Sequence, residues 1–580
     1  RVTRAVCDGK SYEYIYDAYG NLKEKRSNGK RFVSYAHDRA GQITEIRDPE
    51  GVCTRYEYDI LGRRSRIYNN DGLEVRYGYD ALNRIRHIRY GNGVETAYTY
   101  DGDGNIRTLE TRAGENVLLS FAYRYDGNGN RTAKAGTQAA LGGITSEITA
   151  GNNALDISYN YDVRGQLLEE RRNGTSVCYA YDKAGNRIRK TDVQGEIRYL
   201  YNEKNQLIAE ESPADRKQFS YDRQGGIIEE KNAAGIRLFS YNSRHQQTRV
   251  ETETGSVQEN RYDAEGLRFE LLENGRRTSF VYHNGELLEE GREEQGISYH
   301  LGAGMEAFRR GQELYYYHRD EQLSTVFVTD GQGEIRNSYQ YDAFGIPLET
   351  TEQLNNRIRY TGQQYDELTE QYYLRARYYN PVAGRFMQED VYQGDGLNLY
   401  AYCGNNPVVY DDPSGYKRKA CPPQGKISES VDETSYGKSS GKYDTTADFL
   451  TNIESGTPST TDRIRNVAQQ SFDYAVNNPR KQGLNRMQLG KDAEIQATRW
   501  TRKWAERNGI DLSESGLHFQ VRGEHSIPDV VYEPTKNIMD FKLTPKAVRK
   551  KQSDNFKSDF PGYSIEYIFG PGPWREQDEH

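Results

Sequence analysis

The segment YAYDKAGNRIRKTDVQG, residues 179–195, shows the sequence pattern from which the fold can be predicted. Tyrosines alternate along one segment, Asp-x-x-Gly follows, and a second segment of alternating residues comes after it. Glycine tolerates positive φ and Asp-x-x-Gly suits a tight turn, so the stretch predicts a β-hairpin.

The same turn recurs along the chain with a nearly constant period. Its aspartates, or the asparagines that replace them, are spaced by 21 residues in the first series and by 20 or 21 in the second: Asp17, Asp38, Asp59, Asp80, Asp101, then Asp162, Asp182, Asn202, Asp222, Asn242 and Asp263. One hairpin cannot bury its apolar face, whereas a stack of hairpins can. The spacing therefore predicts an array of hairpins in a mainly β protein.

Composition agrees with broad, amphipathic strands. Of the 580 residues 35% are hydrophobic, while 48 are tyrosine and 56 are glycine. This length allows two to four domains, or one large repeat structure with an addition. No run of 18 apolar residues is present, so no stable membrane insertion is expected. The five cysteines are scattered and odd in number, which argues against a disulfide framework and a zinc site. The start at Arg1, without Met or signal sequence, indicates a fragment of a longer protein.

The repeats resemble the Rhs/YD-repeat family over residues 1 to about 416. The strongest local match is RARYYNPVAGRFMQEDVYQGDGLNLYAYCGNNPVVYDDPSGY, residues 375–416, which is similar to the core motif of that family. The resemblance implies a β-cocoon, a hollow spiral of hairpins that encloses the segment after it, with a terminal plug. We expect a shell at 1–355, a core or plug at 356–416, a linker at 417–458 and a toxin domain at 459–580.

Some members of that family cut their own chain just after an Asp-Pro-x-Gly-x sequence. The resemblance assigns Asp390, Asp395 and Asp412 to this chemistry and makes the bond after Tyr416 the expected scissile bond. Hydrolysis of the aspartic-protease type needs two acids close enough to share a proton. Val391 and Tyr416 depart from the usual proline and leucine. The alternative is that these acids cap turns and that nothing is cut.

Beyond Tyr416 the repeat ends and a Ser-, Gly-, Thr- and Pro-rich stretch begins. After it we predict a small α/β domain with helices at 491–508 and 545–558, and strands at 517–522, 529–533, 537–542 and 564–569. Asp529 and Asp540 would then meet at one end of paired strands, with Lys542 on the same face as Asp540. Paired carboxylates bind Mg²⁺ or Mn²⁺, which polarises a phosphodiester, and a lysine offsets the developing charge.

The arrangement Pro528-Asp529…Asp540-Phe541-Lys542 resembles the PD-(D/E)XK nuclease superfamily, whose fold is that of restriction endonucleases. The resemblance adds Glu494 to the metal ligands Asp529 and Asp540, and gives Gln552 a catalytic role beside Lys542. A basic helix face lies next to this site and suits phosphate groups, with Lys546, Arg549, Lys550 and Lys551 as its nucleic-acid contacts. The alternative for Asp540 and Lys542 is a surface ion pair of little consequence.

These features predict an Rhs-type polymorphic toxin, secreted or presented at the cell surface. Its tail would be a Mg²⁺- or Mn²⁺-dependent nuclease, with DNA the expected substrate, acting in the target-cell cytoplasm. The resemblance also implies a cognate immunity protein and a secretion or delivery apparatus as partners. Two alternatives remain open: an RNase tail, or a carbohydrate-binding surface adhesin whose tail is not catalytic.

Overall fold

The structure is a computed structural model that describes residues 1–139, 154–292, 296–392 and 396–420, and the backbone of four strands between residues 517 and 569. The chain divides into two compact units. The first comprises Arg1–Asp59 with Arg63–Ser430, and the second comprises Ile60–Gly62 with Val431–His580.

The first unit is dominated by one continuous antiparallel meander of 33 strands, in which each strand pairs with the next one along the chain. The predicted array of hairpins is confirmed. Its strands are β1 Arg4–Cys7, β2 Lys10–Tyr16, β3 Leu22–Ser27, β4 Lys30–His37, β5 Ile43–Arg47, β6 Cys53–Tyr58, β7 Arg64–Tyr68, β8 Glu74–Tyr79, β9 Ile85–Tyr90, β10 Val94–Tyr100, β11 Ile106–Ala113, β12 Asn116–Tyr125, β13 Arg131–Gln138, β14 Ala154–Tyr161, β15 Leu167–Arg172, β16 Thr175–Tyr181, β17 Arg187–Asp192, β18 Gly195–Tyr201, β19 Leu207–Glu211, β20 Arg216–Tyr221, β21 Ile227–Asn232, β22 Gly235–Tyr241, β23 Gln247–Glu251, β24 Val257–Tyr262, β25 Arg268–Glu273, β26 Arg276–His283, β27 Glu286–Arg292, β28 Ile297–Leu301, β29 Met305–Arg310, β30 Glu313–Arg319, β31 Thr325–Thr329, β32 Ile335–Tyr341 and β33 Pro347–Glu352.

The aspartate of each repeat organises its turn through its side chain. The Asp182 carboxylate accepts hydrogen bonds from the backbone N–H of Asn186 at 2.9 Å and from the Asn186 side-chain amide, also at 2.9 Å. Gly185 adopts φ +82°, a conformation that favours glycine. Asp182 therefore closes the turn between β16 and β17 while Gly185 supplies its positive φ.

The tyrosine before that aspartate ties each hairpin to the one before it. The Tyr181 hydroxyl donates to the carbonyl oxygen of Leu167 at 2.8 Å, beside a bulge in the β16–β17 register. The same bond recurs from tyrosine to backbone carbonyl along the meander, in the pairs Tyr58–Ile43, Tyr79–Arg64, Tyr100–Ile85, Tyr125–Ile106, Tyr161–Arg131, Tyr201–Arg187, Tyr221–Leu207, Tyr241–Ile227, Tyr262–Gln247 and Tyr341–Thr325. The recurring feature of these repeats, a tyrosine hydroxyl, thus forms a hydrogen bond to the preceding hairpin.

Strands from the first third of the meander lie against strands from its last third. The Tyr12 hydroxyl donates to Asp263 at 3.0 Å, and the Ser298 hydroxyl donates to Asp48 at 2.7 Å. Thr54 hydrogen bonds to His300 at 2.7 Å. The largest apolar core draws on both parts of the meander, since it includes residues as far apart as Val33 and Phe327. The meander therefore closes back on itself.

After β33 the chain forms a smaller, aromatic-rich region. It contains a four-stranded antiparallel sheet, a two-stranded hairpin and two short 3₁₀ turns: β34 Gln364–Asp366, β35 Gln371–Leu374, β36 Arg377–Asn380, β37 Arg385–Phe386, β38 Tyr410–Asp411, β39 Lys419–Ala420, and the turns Tyr360–Gly362 and Cys403–Asn405. A fully buried ion pair between Arg268 of β25 and Asp366 of β34 joins this region to the meander, with one N–O contact at 3.0 Å. Buried pairs of this kind are costly to break, because the remaining charge is left without compensation.

The second unit is described by the backbone of four strands. These are β40 Leu517–Phe519, β41 Val530–Tyr532, β42 Asn537–Lys542 and β43 Ser564–Phe569. β40, β41 and β42 pair antiparallel in sequence order, and β42 pairs parallel with β43. All four lie within the strand ranges that the sequence predicts, and the two predicted helices lie outside the described residues. No helix among the described residues is long and apolar enough to cross a membrane.

Candidate functional site

A hairpin of two short strands carries the Tyr416–Lys417 bond, which the sequence predicts to be cut. Tyr410 pairs with Ala420 and Asp411 pairs with Lys419, so β38 and β39 flank a loop of residues 412–418. In this loop an Asp412 oxygen, Oδ1, accepts a hydrogen bond from the backbone N–H of Lys417 at 3.1 Å. That nitrogen belongs to the bond between Tyr416 and Lys417.

Ser414 fixes the geometry inside the loop. Its hydroxyl donates to Asp412 Oδ1 at 3.2 Å and accepts a hydrogen bond from the backbone N–H of Tyr416 at 3.2 Å. Ser414 therefore links the backbone nitrogen of Tyr416 to the Asp412 carboxylate, which accepts the Lys417 N–H directly.

Asp390, another acid predicted for self-cleavage, is linked to this loop by Arg377. Arg377 Nη2 lies 2.8 Å from an oxygen of Asp390 and 3.6 Å from an oxygen of Asp412, and all three side chains are buried. Arg377 Nε donates to the carbonyl oxygen of Gly415 at 2.5 Å, and its guanidinium stacks over the Phe386 ring. The planar fork of donors on arginine suits such a bridging role. One guanidinium therefore joins the two acids to the backbone next to Tyr416.

The turn between β35 and β36 supports the same loop. Arg375 donates to the carbonyl oxygen of Pro413, and the Ala376 N–H donates to the carbonyl oxygen of Ser414 at 3.2 Å. Gly415 adopts φ +71°, and a Cβ atom there would clash with the carbonyl oxygen of Leu374. The approach of these two backbone segments requires glycine at position 415.

The structure thus brings together three of the four residues predicted for self-cleavage, Asp390, Asp412 and Tyr416. Asp395 lies outside the described residues. Two further residues at this site, Arg377 and Asp411, were not predicted. Arg377 stands within the core motif, and the signal that could have indicated it is chemical, because two buried carboxylates need a nearby cation. Asp411 is the first acid of the Asp-Asp-Pro sequence, and it is buried.

This arrangement has the components of an amide hydrolysis. An acid next to the amide nitrogen can donate the proton that the departing amine needs, and a second carboxylate can take a proton from the attacking water. Such catalysis requires the acids to lie within hydrogen-bond reach of the groups that they serve, and Asp412 meets that requirement at Lys417 N.

The residues predicted for the nuclease site are only partly described. Asp540 and Lys542 lie on β42, where the backbone alone is described, and Val530 of β41 pairs with Met539. Asp529, Glu494, Gln552, Lys546, Arg549, Lys550 and Lys551 lie outside the described residues. Among the residues whose side chains are described, no group of three or more His, Cys, Asp or Glu is arranged to hold a metal ion.

Two known protein families resemble the meander. The teneurin YD-shell family model matches residues 138–408, and the RHS repeat model matches residues 37–74. Within residues 138–408 the meander thus resembles a YD-shell, and the 33-stranded meander is called the YD-shell below. Its fold is similar to that of a solved structure: the crystal structure of TcdB2-TccC3-Cdc42 aligns with a TM-score of 0.61 at 18% identity, over 72% of this chain and 24% of that one.

Curated relatives match shorter parts of the chain. The tRNA nuclease WapA of Bacillus subtilis is 37% identical over 170 residues, which are 27% of this chain and 7% of that protein. The double-stranded DNA deaminase toxin A of Burkholderia cenocepacia is 31% identical over 118 residues, 19% of this chain and 8% of that protein. The matches therefore span less than a tenth of the length of either relative.

Proposed function

We propose that this chain is part of an Rhs-type toxin whose YD-shell is followed by a core that cuts the chain between Tyr416 and Lys417. The observation that carries the proposal is the 3.1 Å hydrogen bond from the Lys417 N–H to Asp412. The YD-shell fold supports it, as does the occurrence of a toxin among the relatives.

In the proposed reaction a water molecule attacks the carbonyl carbon of Tyr416. Asp390, held by Arg377, takes a proton from that water, and Asp412 in its protonated form gives a proton to the nitrogen of Lys417. The C–N bond breaks, which leaves a carboxyl group on Tyr416 and an amino group on Lys417. Asp395 remains a predicted participant. The two acids exchange roles by passing one proton, as aspartic-type hydrolysis requires.

We further propose that the tail released in this way is a metal-dependent nuclease of the PD-(D/E)XK type. The pairing of Val530 with Met539 supports this proposal, because Asp529 precedes Val530 in the sequence and Asp540 follows Met539. Asp529, Asp540 and Glu494 would hold Mg²⁺ or Mn²⁺, because carboxylate oxygens are the ligands these ions prefer. The ion would supply charge neutralisation at the phosphodiester. Lys542 would offset the charge that develops at the phosphodiester, and Gln552 would have a catalytic role beside it. Lys546, Arg549, Lys550 and Lys551 would bind phosphates.

DNA is the substrate we propose, and RNA is the second candidate. The second candidate is favoured by one relative that is named a tRNA nuclease, whereas another relative is named for action on double-stranded DNA. In either case the proposed sequence of events is enclosure of the tail by the YD-shell, secretion through a delivery apparatus and action in the cytoplasm of a target cell. A cognate immunity protein would protect the producing cell.

The nuclease proposal is tested with residues 417–580, incubated with plasmid DNA and with tRNA in the presence of Mg²⁺ or of a chelator. We expect the tail to degrade nucleic acid in the presence of Mg²⁺ and not in the presence of the chelator. The rate of degradation should fall by about 100-fold or more in Lys542→Ala, because removal of a charge-stabilising group typically has an effect of this size. Lys536→Ala removes an equal charge from the predicted turn before Asp540 and should retain activity. Equal rates for Lys542→Ala and the unmodified tail would contradict the assignment.

The self-cleavage proposal is tested by electrophoresis of the full chain. The unmodified chain should yield a tail of 164 residues, from Lys417 to His580. Asp412→Asn should remain intact because the acid next to the Lys417 nitrogen has been lost. If both the unmodified chain and Asp412→Asn remain intact, self-cleavage is refuted, whereas the nuclease proposal is unaffected.

A further inference from the structure

We infer that Asp411 is a positioning residue that makes self-cleavage depend on pH. In its neutral form the Asp411 carboxyl lets the β38–β39 hairpin hold the Tyr416–Lys417 bond beside Asp412, and in its ionised form it loosens that hold. This inference rests on the proposed self-cleavage and adds a regulatory property to the same site.

Asp411 occupies the position that controls the loop. It is the last residue of β38 and pairs with Lys419 of β39, so its backbone closes the loop of residues 412–418. Its side chain is 6% exposed, and Oδ1 has no hydrogen-bond partner among the described residues. The buried hydroxyl of Tyr402 also has no such partner in the described part of the chain, and it interacts electrostatically with Asp411. A buried polar group without a partner is costly, and more so when it is charged.

The charges around Asp411 favour its neutral form. Burial contributes most, and the neighbouring Asp412 adds to it; together they raise the pKa of Asp411 to about 7. The cations that oppose this are Lys419 and Arg375. Lys419 is exposed, and Arg375 is engaged with Gln363 at 2.8 Å and with Glu286 at 2.7 Å. Neither cation forms a hydrogen bond to the Asp411 carboxylate among the contacts described.

The direction of the pH effect follows from this raised pKa. A carboxyl whose pKa is higher in the folded hairpin than in the open one stabilises the hairpin while it is protonated. That stabilisation is lost as the pH rises through about 7, when the buried Asp411 carboxyl becomes charged. Opening the β38–β39 pairing exposes this charge to water and draws the Lys417 nitrogen away from Asp412. Self-cleavage should therefore be faster at mildly acidic pH than at mildly alkaline pH.

The test follows cleavage of the full chain, made in a short radiolabelled pulse of cell-free translation and then transferred to about pH 6 or about pH 8. If the rate follows the neutral fraction of a group with a pKa of about 7, the unmodified chain should cleave about tenfold faster at the lower pH. Asp411→Asn keeps the shape of the side chain without its charge, and should cleave at the faster rate at both pH values. Asp411→Ser serves as a second neutral variant, and limited proteolysis of the YD-shell checks folding.

Glu289→Gln is the matched control. Glu289 is another buried acid with a raised pKa, but it lies on β27, and its electrostatic partners are Asp48 and Glu50 in the YD-shell. This variant should keep the wild-type pH dependence of cleavage, and Asp412→Asn gives the uncleaved background.

Three results would overturn the inference. One is a tenfold pH dependence that persists in folded Asp411→Asn or Asp411→Ser. Another is a complete loss of cleavage in both folded variants, which would make Asp411 part of the chemistry itself. An unmodified chain that is not cleaved at either pH would refute the proposed self-cleavage and this inference with it.

Discussion

At Tyr181 and Asp182, two neighbouring side chains form hydrogen bonds in opposite directions along the chain. The tyrosine hydroxyl reaches back to Leu167 at 2.8 Å, and the aspartate carboxylate reaches forward to the N–H of Asn186 at 2.9 Å. One bond ties the hairpin to its predecessor and the other closes its own turn. The Tyr-Asp pair therefore both closes a turn and links neighbouring hairpins, which explains why the two residues recur together.

Removing one such hydroxyl should cost a measurable part of the stability of the YD-shell. Tyr181→Phe keeps the ring and deletes the bond to the Leu167 carbonyl, so the free energy of unfolding should fall by about 1 kcal/mol. Urea unfolding of the full chain measures this. Tyr19→Phe, at a side chain that is 90% exposed, is the control and should change nothing. Equal stability of all three proteins would show that the hydroxyl bonds do not hold the repeats together.

Gly415 should be indispensable for self-cleavage although it carries no reactive group. Gly415→Ala adds a Cβ atom that clashes with the Leu374 carbonyl and forces an L-residue into φ +71°, a strain of about 1–3 kcal/mol. We expect the loop to shift and release of the tail to slow, as measured by electrophoresis of the full chain. Gly331→Ala is the control, because nothing lies within 4 Å of its added Cβ atom. Unchanged cleavage in Gly415→Ala would contradict the role assigned to this backbone approach.

The residues of the proposed cleavage site differ in how far the sequence indicates them. Asp390, Asp412 and Tyr416 stand at motif positions, and the structure places them near one another, while their part in self-cleavage stays a prediction. Arg377 was missed because its role depends on the fold: it precedes Asp412 by 35 positions, and only the packing of β36 against the loop brings them to 3.6 Å. Asp529, Asp540, Lys542 and the other nuclease residues remain predictions.

At the level of elements, the hairpins could be predicted from local sequence, whereas their closure could not. The turn at Asp182 and Gly185 depends on residues within five positions of one another. The contact between Asp48 and Ser298 joins residues 250 positions apart, and no local pattern indicates which turn meets which strand. The repeat period predicts that strands stack, but it does not say where the stack meets itself.

One electrostatic interaction between distant elements should make the stability of the YD-shell depend on pH. Burial, followed by the charge of Asp48, raises the pKa of Glu289 on β27 to about 8. A carboxyl with a raised pKa in the folded state stabilises the fold at low pH, and this contribution is lost as the pH rises through about 8. Thermal unfolding should therefore show a lower Tm at pH 9 than at pH 5.

The variant Glu289→Gln isolates this interaction. It removes the ionisation and should reduce the loss of stability at high pH by an amount on the order of a few kcal/mol. Glu203→Gln, at an exposed turn position, is the control and should keep the pH dependence of the unmodified chain. An identical difference in Tm between pH 5 and pH 9 in Glu289→Gln would show that Glu289 is not its source.

Across the full chain, the YD-shell and the tail differ in how strongly their sequences support a prediction. The YD-shell repeats one unit many times, so each copy adds evidence for the same fold, and the meander confirms it. The tail contains a single short motif of acids and a lysine. Because this motif does not recur, no second copy supports the prediction of a nuclease site. The strand that carries Asp540 and Lys542 occupies the predicted residues, Asn537–Lys542, and the chemistry assigned to it is a proposal.

Intact-mass spectrometry of the full chain after expression and purification shows whether the bond between Tyr416 and Lys417 is cut. Self-cleavage should give two species, one that ends at Tyr416 and one that begins at Lys417, and Asp412→Asn should give a single uncut species. A single full-length mass for the unmodified chain, or a cut at another bond, would contradict this prediction.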